Sequence, residues 1–175
     1  RMDGSSVFGE KERNQLYVKA SGSYVLSEAD YWKNASINNW WNLMKLRVAY
    51  GESGNLTAIG AYERFNSYLT NAFNGKISLT GSPTLANLAM GPEGQKELEL
   101  GTDMTFADNR ISLQFNYYIK KVQDLLINRI VAPTTGYSNY RNNLGSLENK
   151  GFEVVLNLVP VRNKDFQWNA TAIFN

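Results

Sequence analysis

Apolar and polar side chains alternate along six long segments of the chain, the two-residue period of a β-strand whose faces meet different surroundings. The period predicts strands over residues 15–27, 40–50, 95–106, 109–121, 151–161 and 166–174. One face carries Val18, Tyr24, Leu46, Val48, Leu98, Leu100, Leu113, Phe115, Phe152, Val154, Trp168 and Phe174, none of them charged. The other carries Lys45, Arg47, Glu97, Glu99, Asp103, Gln114, Asn116 and Glu153. The connections are of two kinds. Residues 107–108 and 162–165 fit tight hairpins, whereas 51–94 and 122–150 are far longer. If neighbouring strands are antiparallel, the short turns share one rim and the long loops the other. Residues 27–39 belong to the short-turn rim yet have room for a helical turn.

Two surroundings reward such strands. In a soluble β-sandwich the apolar face packs a core and the polar face meets water. In a membrane barrel the apolar face meets lipid and the polar face a wet lumen. Strand length favours the membrane, because globular strands average about 5–6 residues and tilted membrane strands need about 9–11. The aromatics point the same way. Trp40 and Tyr50 stand ten residues apart on the apolar face of the second strand, a separation of roughly 25 Å along the membrane normal at ordinary tilt. Tyr24, Trp40, Phe106 and Trp168 would gather near the short-turn rim, and Tyr50, Tyr117 and Phe152 toward the other, where rings meet lipid headgroups. An open sheet of six strands would leave unpaired edge amides in hydrocarbon, so these strands are expected to form part of a larger barrel. The sandwich stays open as the alternative.

Composition narrows the choice. A chain of 175 residues with 43% hydrophobic and 19% charged residues can order a sizeable structure, and its net charge of +2 gives no strong attraction to nucleic acid. With no cysteine and no histidine, thiolate chemistry, the usual zinc sites and the commonest general base are excluded. No apolar run reaches the ~18 residues of a membrane-spanning helix, and no signal-peptide pattern opens the chain.

Several runs, taken in order, resemble one family. They are "DGSSVFG" (residues 3–9), "LMKLRVAYGESGN" (43–55), "KELELGTDMTFADNRISLQFNYYIKKVQDLL" (96–126), "PTTGYSNYRNNLGSLENKGFEVVLNL" (133–158) and "FQWNATAIFN" (166–175). Together they are similar to the C-terminal part of the barrel in SusC/RagA-type TonB-dependent transporters of Bacteroidetes. The resemblance implies an all-β, antiparallel transmembrane β-barrel segment, six long strands of a barrel of about 22, with short periplasmic turns and long extracellular loops. It implies a multi-pass protein of the bacterial outer membrane that imports an oligosaccharide or a peptide. The partners implied are a SusD-like surface lipoprotein, TonB acting through an N-terminal region, and outer-membrane lipid. The plug, the TonB-contacting box, a signal sequence and a terminal aromatic residue are not in the sequence, so residues 1–175 are expected to be one partial barrel domain of a longer protein.

Import of this kind calls for no catalytic group, cofactor or metal. Tyr62, Phe65 and Tyr68 in the 51–94 loop, and Tyr137 and Tyr140 in the 122–150 loop, are candidates for stacking on cargo or packing against a partner. They could equally stabilise their own loops. Glu97 and Glu99 suggest a glycosidase pair, but on a polar strand face Lys45 and Arg47 are more natural partners for them. A passive porin and a soluble carbohydrate-binding sandwich remain the competing readings.

Overall fold

A computed structural model of the chain describes residues 1–55 and 59–175; residues 56–58, inside the 51–94 connection, lie outside the described residues. The strands are β1 (Met2–Gly4), β2 (Asn14–Leu16), β3 (Lys19–Val25), β4 (Trp41–Asn55), β5 (Tyr68–Phe73), β6 (Lys76–Gly81), β7 (Thr84–Leu85), β8 (Glu93–Phe106), β9 (Ile111–Ile130), β10 (Asn139–Arg162) and β11 (Gln167–Phe174). The principal sheet has the order β3-β4-β8-β9-β10-β11, with β7 added in parallel beside β10. The six strands expected from the period therefore stand in the expected succession. Contacts divide the chain into two compact units, and the long strands contribute residues to both.

One unit comprises residues 19–51, 97–120 and 148–175. Here β3 pairs antiparallel with β4, setting Ala20 opposite Tyr50, Gly22 opposite Val48 and Tyr24 opposite Leu46. β10 pairs with β11, setting Val154 opposite Phe174, Leu156 opposite Ala172 and Leu158 opposite Ala170. Opposed residues share a face, so the register assembles the apolar face that the period requires. The register slips between Leu158 and Val161, where Pro160 stands without an N–H to give to the ladder. Phe152 stacks against Phe115 at 6.2 Å and against Phe174 at 5.6 Å between ring centroids.

That apolar face is bare. Leu46, Val48, Leu100, Phe115, Phe152 and Phe174 keep between 37% and 62% of their surface exposed. Both tight turns lie in this unit. The first runs through Ala107, Asp108 and Asn109, all with positive φ, and the second closes when Asn163 N–H donates to the Phe166 carbonyl at 2.8 Å. The connection after β3 forms the expected helical turns, among them α1 (Asp30–Lys33). Trp32 meets Trp41 edge-on at 5.0 Å, while Trp40 and Trp41 both lie against Phe106.

The other unit comprises residues 1–18, 52–96 and 121–147. Phe8, Ile59 and Met90 form a small core, with Val7 and Leu126 packed on it. β5 and β6 form a hairpin about Asn74-Gly75, whose φ values of 50° and 74° suit the two-residue turns that match strand twist. Two expectations are corrected in this unit. The 15–27 strand is split, because Gln15 and Leu16 pair with β1 whereas Lys19–Val25 pair with β4, and the buried Tyr17 stands between them. The 122–150 connection is mostly strand: β9 continues to Ile130 and β10 begins at Asn139, leaving a connection of residues 131–138. β9 passes through Asp124 in the left-handed region, φ 58°, and Asn143 Nδ2 donates to its carbonyl at 2.7 Å. A local irregularity there shifts the alternation without ending the pairing.

Candidate functional site

On the polar side of the first unit described, Arg47 of β4 is the hub. Its Nη2 donates to Asp103 Oδ1 of β8 at 3.0 Å and to Asn116 Oδ1 of β9 at 2.8 Å, and its Nη1 stands 4.0 Å from Glu99 Oε1. A long side chain on β4 reaches β9 because Gly101 opens the way. A Cβ at 101 would lie 2.6 Å from Asn116 Oδ1 and 2.9 Å from Arg47 Nη2. Glycine here serves close approach rather than an unusual backbone angle. A shallow cavity of about 320 Å³ adjoins the network and is lined by Ser21, Ser23, Lys45, Arg47 and Glu99 among others.

The sequence-predicted polar residues are thus sorted. Arg47, Glu99, Asp103 and Asn116 are brought together, and Lys45 lines the adjoining cavity. Glu97 is half-buried on β8, while Gln114 and Glu153 are exposed. Glu99 stands beside the Arg47 guanidinium, an ion-pair arrangement of the kind expected on such a face.

In the second unit the candidate aromatics take different positions. Tyr62 and Tyr68 are the most open, at 79% and 75% exposed. Phe65 lies beneath the Arg64 guanidinium, 4.3 Å from Cζ to the ring centroid. Tyr137 is half-buried. Tyr140 is part of β10 rather than of a loop; it pairs with Leu85 of β7 and lies 6.0 Å from the Arg129 guanidinium. Among the described residues, Phe65 and Tyr140 are the candidates that lie under a cation.

Residues that sequence reading passed over hold this unit together. Arg141 pairs with Glu63, whose other carboxylate oxygen accepts the Gly60 N–H at 2.8 Å. Asn87, 5% exposed, donates to the Arg141 carbonyl at 3.0 Å and accepts the Ala89 N–H at 3.1 Å. Asn143 exchanges hydrogen bonds with the Gly91 backbone in both directions, at 2.9 and 3.0 Å. Tyr17 lies over Gly54 with its hydroxyl buried and unpartnered, and burial, followed by the nearby Asp3 carboxylate, raises its pKa against a smaller lowering by Arg1. Among the described residues no cluster of acidic side chains has the makings of a metal site.

An antiparallel sheet with one bare apolar face, and with charge networks confined to the other, is the wall of a membrane-spanning β-barrel. The chain belongs to the TonB dependent receptor-like, beta-barrel family, whose pattern it matches over residues 1–175. It is 34% identical over 181 residues to TonB-dependent receptor P26 of Formosa agariphila, covering 100% of this chain and 18% of that protein. It is 27% identical over 176 residues to TonB-dependent receptor SusC of Bacteroides thetaiotaomicron, covering 97% of this chain and 17% of that protein. Its fold superposes with a TM-score of 0.83 on the RagAB peptide importer in the closed-closed state, at 25% identity, covering 98% of this chain and 18% of that one. The chain therefore spans 17% to 18% of the length of these relatives, and it is an outer-membrane protein segment.

Proposed function

We propose that the chain is the C-terminal barrel portion of a receptor that imports an oligosaccharide or a peptide across the outer membrane, driven through TonB and working with a SusD-like surface lipoprotein. The observation that carries this reading is the whole-chain likeness to SusC and to RagAB, a peptide importer, in a sheet whose apolar face is left bare. On this reading the barrel has about 22 strands. The turns at 107–109 and 163–166 and the helical connection between β3 and β4 are periplasmic, and the connections from β4 to β8 and from β9 to β10 are extracellular. Lys45, Arg47, Glu97, Glu99, Asp103, Gln114, Asn116 and Glu153 face the lumen, and Tyr62, Phe65, Tyr68, Tyr137 and Tyr140 are available to cargo or to the lipoprotein.

The chemistry supports transport rather than catalysis. Arg47 Nη2 donates to Asp103 and Asn116 across neighbouring strands, which stiffens the wall and keeps charge on the wet side. Uptake of labelled oligosaccharides and peptides by cells carrying the full-length receptor tests the reading. Uptake should need the receptor, TonB and the inner-membrane proton gradient. Uptake that persists without TonB and with the gradient collapsed would identify a passive pore instead.

A further inference from the structure

Within the unit of residues 1–18, 52–96 and 121–147 lies an open cavity of about 630 Å³, lined by Glu10, Lys11, Glu12, Arg64, Phe65 and Leu88 among others. We propose that it binds a ligand carrying a carboxylate beside an apolar face, with Arg64 taking the carboxylate and Phe65 and Leu88 the apolar part. This inference rests on the import reading, which leaves that chemistry to two sources, the acidic end of a peptide or a uronic-acid sugar.

The walls are fixed before any ligand arrives. Phe8 and Met90, each 1% exposed, anchor the segments that bear Glu10–Glu12 and Leu88. Gly9 N–H donates to the Met90 carbonyl at 2.9 Å, and the two segments meet so tightly that a Cβ at Gly9 would fall 2.5 Å from the Leu88 carbonyl oxygen. The third wall is tied to the second by the Asn87 N–H, which donates to the Arg64 carbonyl at 3.1 Å. A cavity built from pinned backbone loses little entropy on binding.

Its chemistry has one unmet demand. Arg64 Nε is buried without a hydrogen-bond partner, although the guanidinium lies on the Phe65 ring. Two neighbouring carboxylates have partners of their own: Glu63 is held by Arg141 and the Gly60 N–H, and Glu12 Oε2 accepts from Gln15 Nε2 at 2.9 Å. Glu10 and Lys11 offset each other in formal charge at the wall. Phe65 and Leu88 remain 42% and 62% exposed, apolar surface that the ring of a sugar or an aliphatic side chain would cover. A guanidinium already stacked on an aromatic and short of an acceptor suits a planar carboxylate.

Calorimetry on the full-length receptor in detergent tests this with four probes: N-acetyl-trileucine, its C-terminal amide, tetragalacturonate and neutral maltotetraose. One acid should bind, its neutral counterpart should bind roughly tenfold or more weakly, and Arg64→Met should reduce the acid to the level of the neutral probe, as expected for one charge-assisted hydrogen bond. Whichever acid binds identifies the source. Equal binding of acid and neutral partners, binding of neither acid, or indifference of the acid to Arg64→Met would overturn the proposal. Should Arg64→Met fail to fold, the acid-to-neutral ratio of the unmodified receptor still decides. Binding of an acid without energised uptake would retire the import reading and leave the site standing.

Discussion

Tyr17 lies across Gly54 so closely that a Cβ at position 54 would fall 1.8 Å from the tyrosine hydroxyl oxygen. A buried ring laid over a strand glycine fills the gap that the glycine leaves. Gly54→Ala should therefore displace the ring and cost about 1–3 kcal/mol, the usual range for overpacking. The urea midpoint of the refolded receptor measures it, and an unchanged midpoint would count against the contact.

Tyr17→Phe should act with the opposite sign. The hydroxyl is buried and unpartnered, so its removal should be neutral or stabilise by up to about 1 kcal/mol. The same substitution should alter the alkaline limb of stability. Because the folded pKa is raised above the usual 10.0, this group's contribution is fully present below about pH 10 and is lost as pH rises toward the folded value. Urea midpoints taken between pH 9 and about 11 should fall less in Tyr17→Phe than in the parent.

Arg47 and Asp103 should be coupled rather than additive. The two side chains keep 32% and 22% of their surface exposed, so solvent screening limits the pair, and a double-mutant cycle of Arg47→Met with Asp103→Asn should give about 0.5–1 kcal/mol. The value should shrink in high salt. A coupling of zero at low salt would show that the bond does not hold the strands together.

Asn143 offers a local readout. It ties the Gly91 backbone to the Asp124 carbonyl, so Asn143→Ala strips partners from both and should cost about 1–3 kcal/mol. Hydrogen exchange at the Gly91 amide, which donates to Asn143 Oδ1 at 3.0 Å, should quicken well before the rest of the unit opens.

Facing can be tested by charge. Leu113→Arg should cost about 2–4 kcal/mol if the side chain meets lipid near the midplane, whereas Gln114→Arg, one residue along and on the other face, should be far milder. The folded fraction in the outer membrane, read by heat-modifiable gel migration, compares them. Equal yields would contradict the assigned facing.

What the sequence disclosed follows from contrast between faces. Leu46, Val48, Phe115 and Phe152 alternate with Lys45, Arg47, Asn116 and Glu153, and strands placed by that contrast appear where expected. Where the contrast fades the reading fails. Residues 139–150, NYRNNLGSLENK, are polar on both faces and read as loop, yet the backbone ladder does not need an apolar side and β10 begins at Asn139. The irregularity at Asp124, followed by Leu125 and Leu126 side by side, hid the continuation of β9. The pairing of Arg141 was illegible for a different reason. Arg141 meets Glu63 across 78 positions of sequence, and no local pattern announces such a pair.

The two-faced wall itself is open to one direct measurement. The segment has no cysteine of its own, so single nitroxide labels can be set at successive positions from 111 to 119 of the full-length receptor in a lipid bilayer. Collisions with oxygen, which concentrates in hydrocarbon, should peak at Leu113, Phe115 and Tyr117, and collisions with a water-soluble nickel chelate at Gln114 and Asn116. Access of the chelate to Leu113 and Phe115, or a profile without a two-residue period, would contradict a lipid-facing apolar side and the barrel wall built on it.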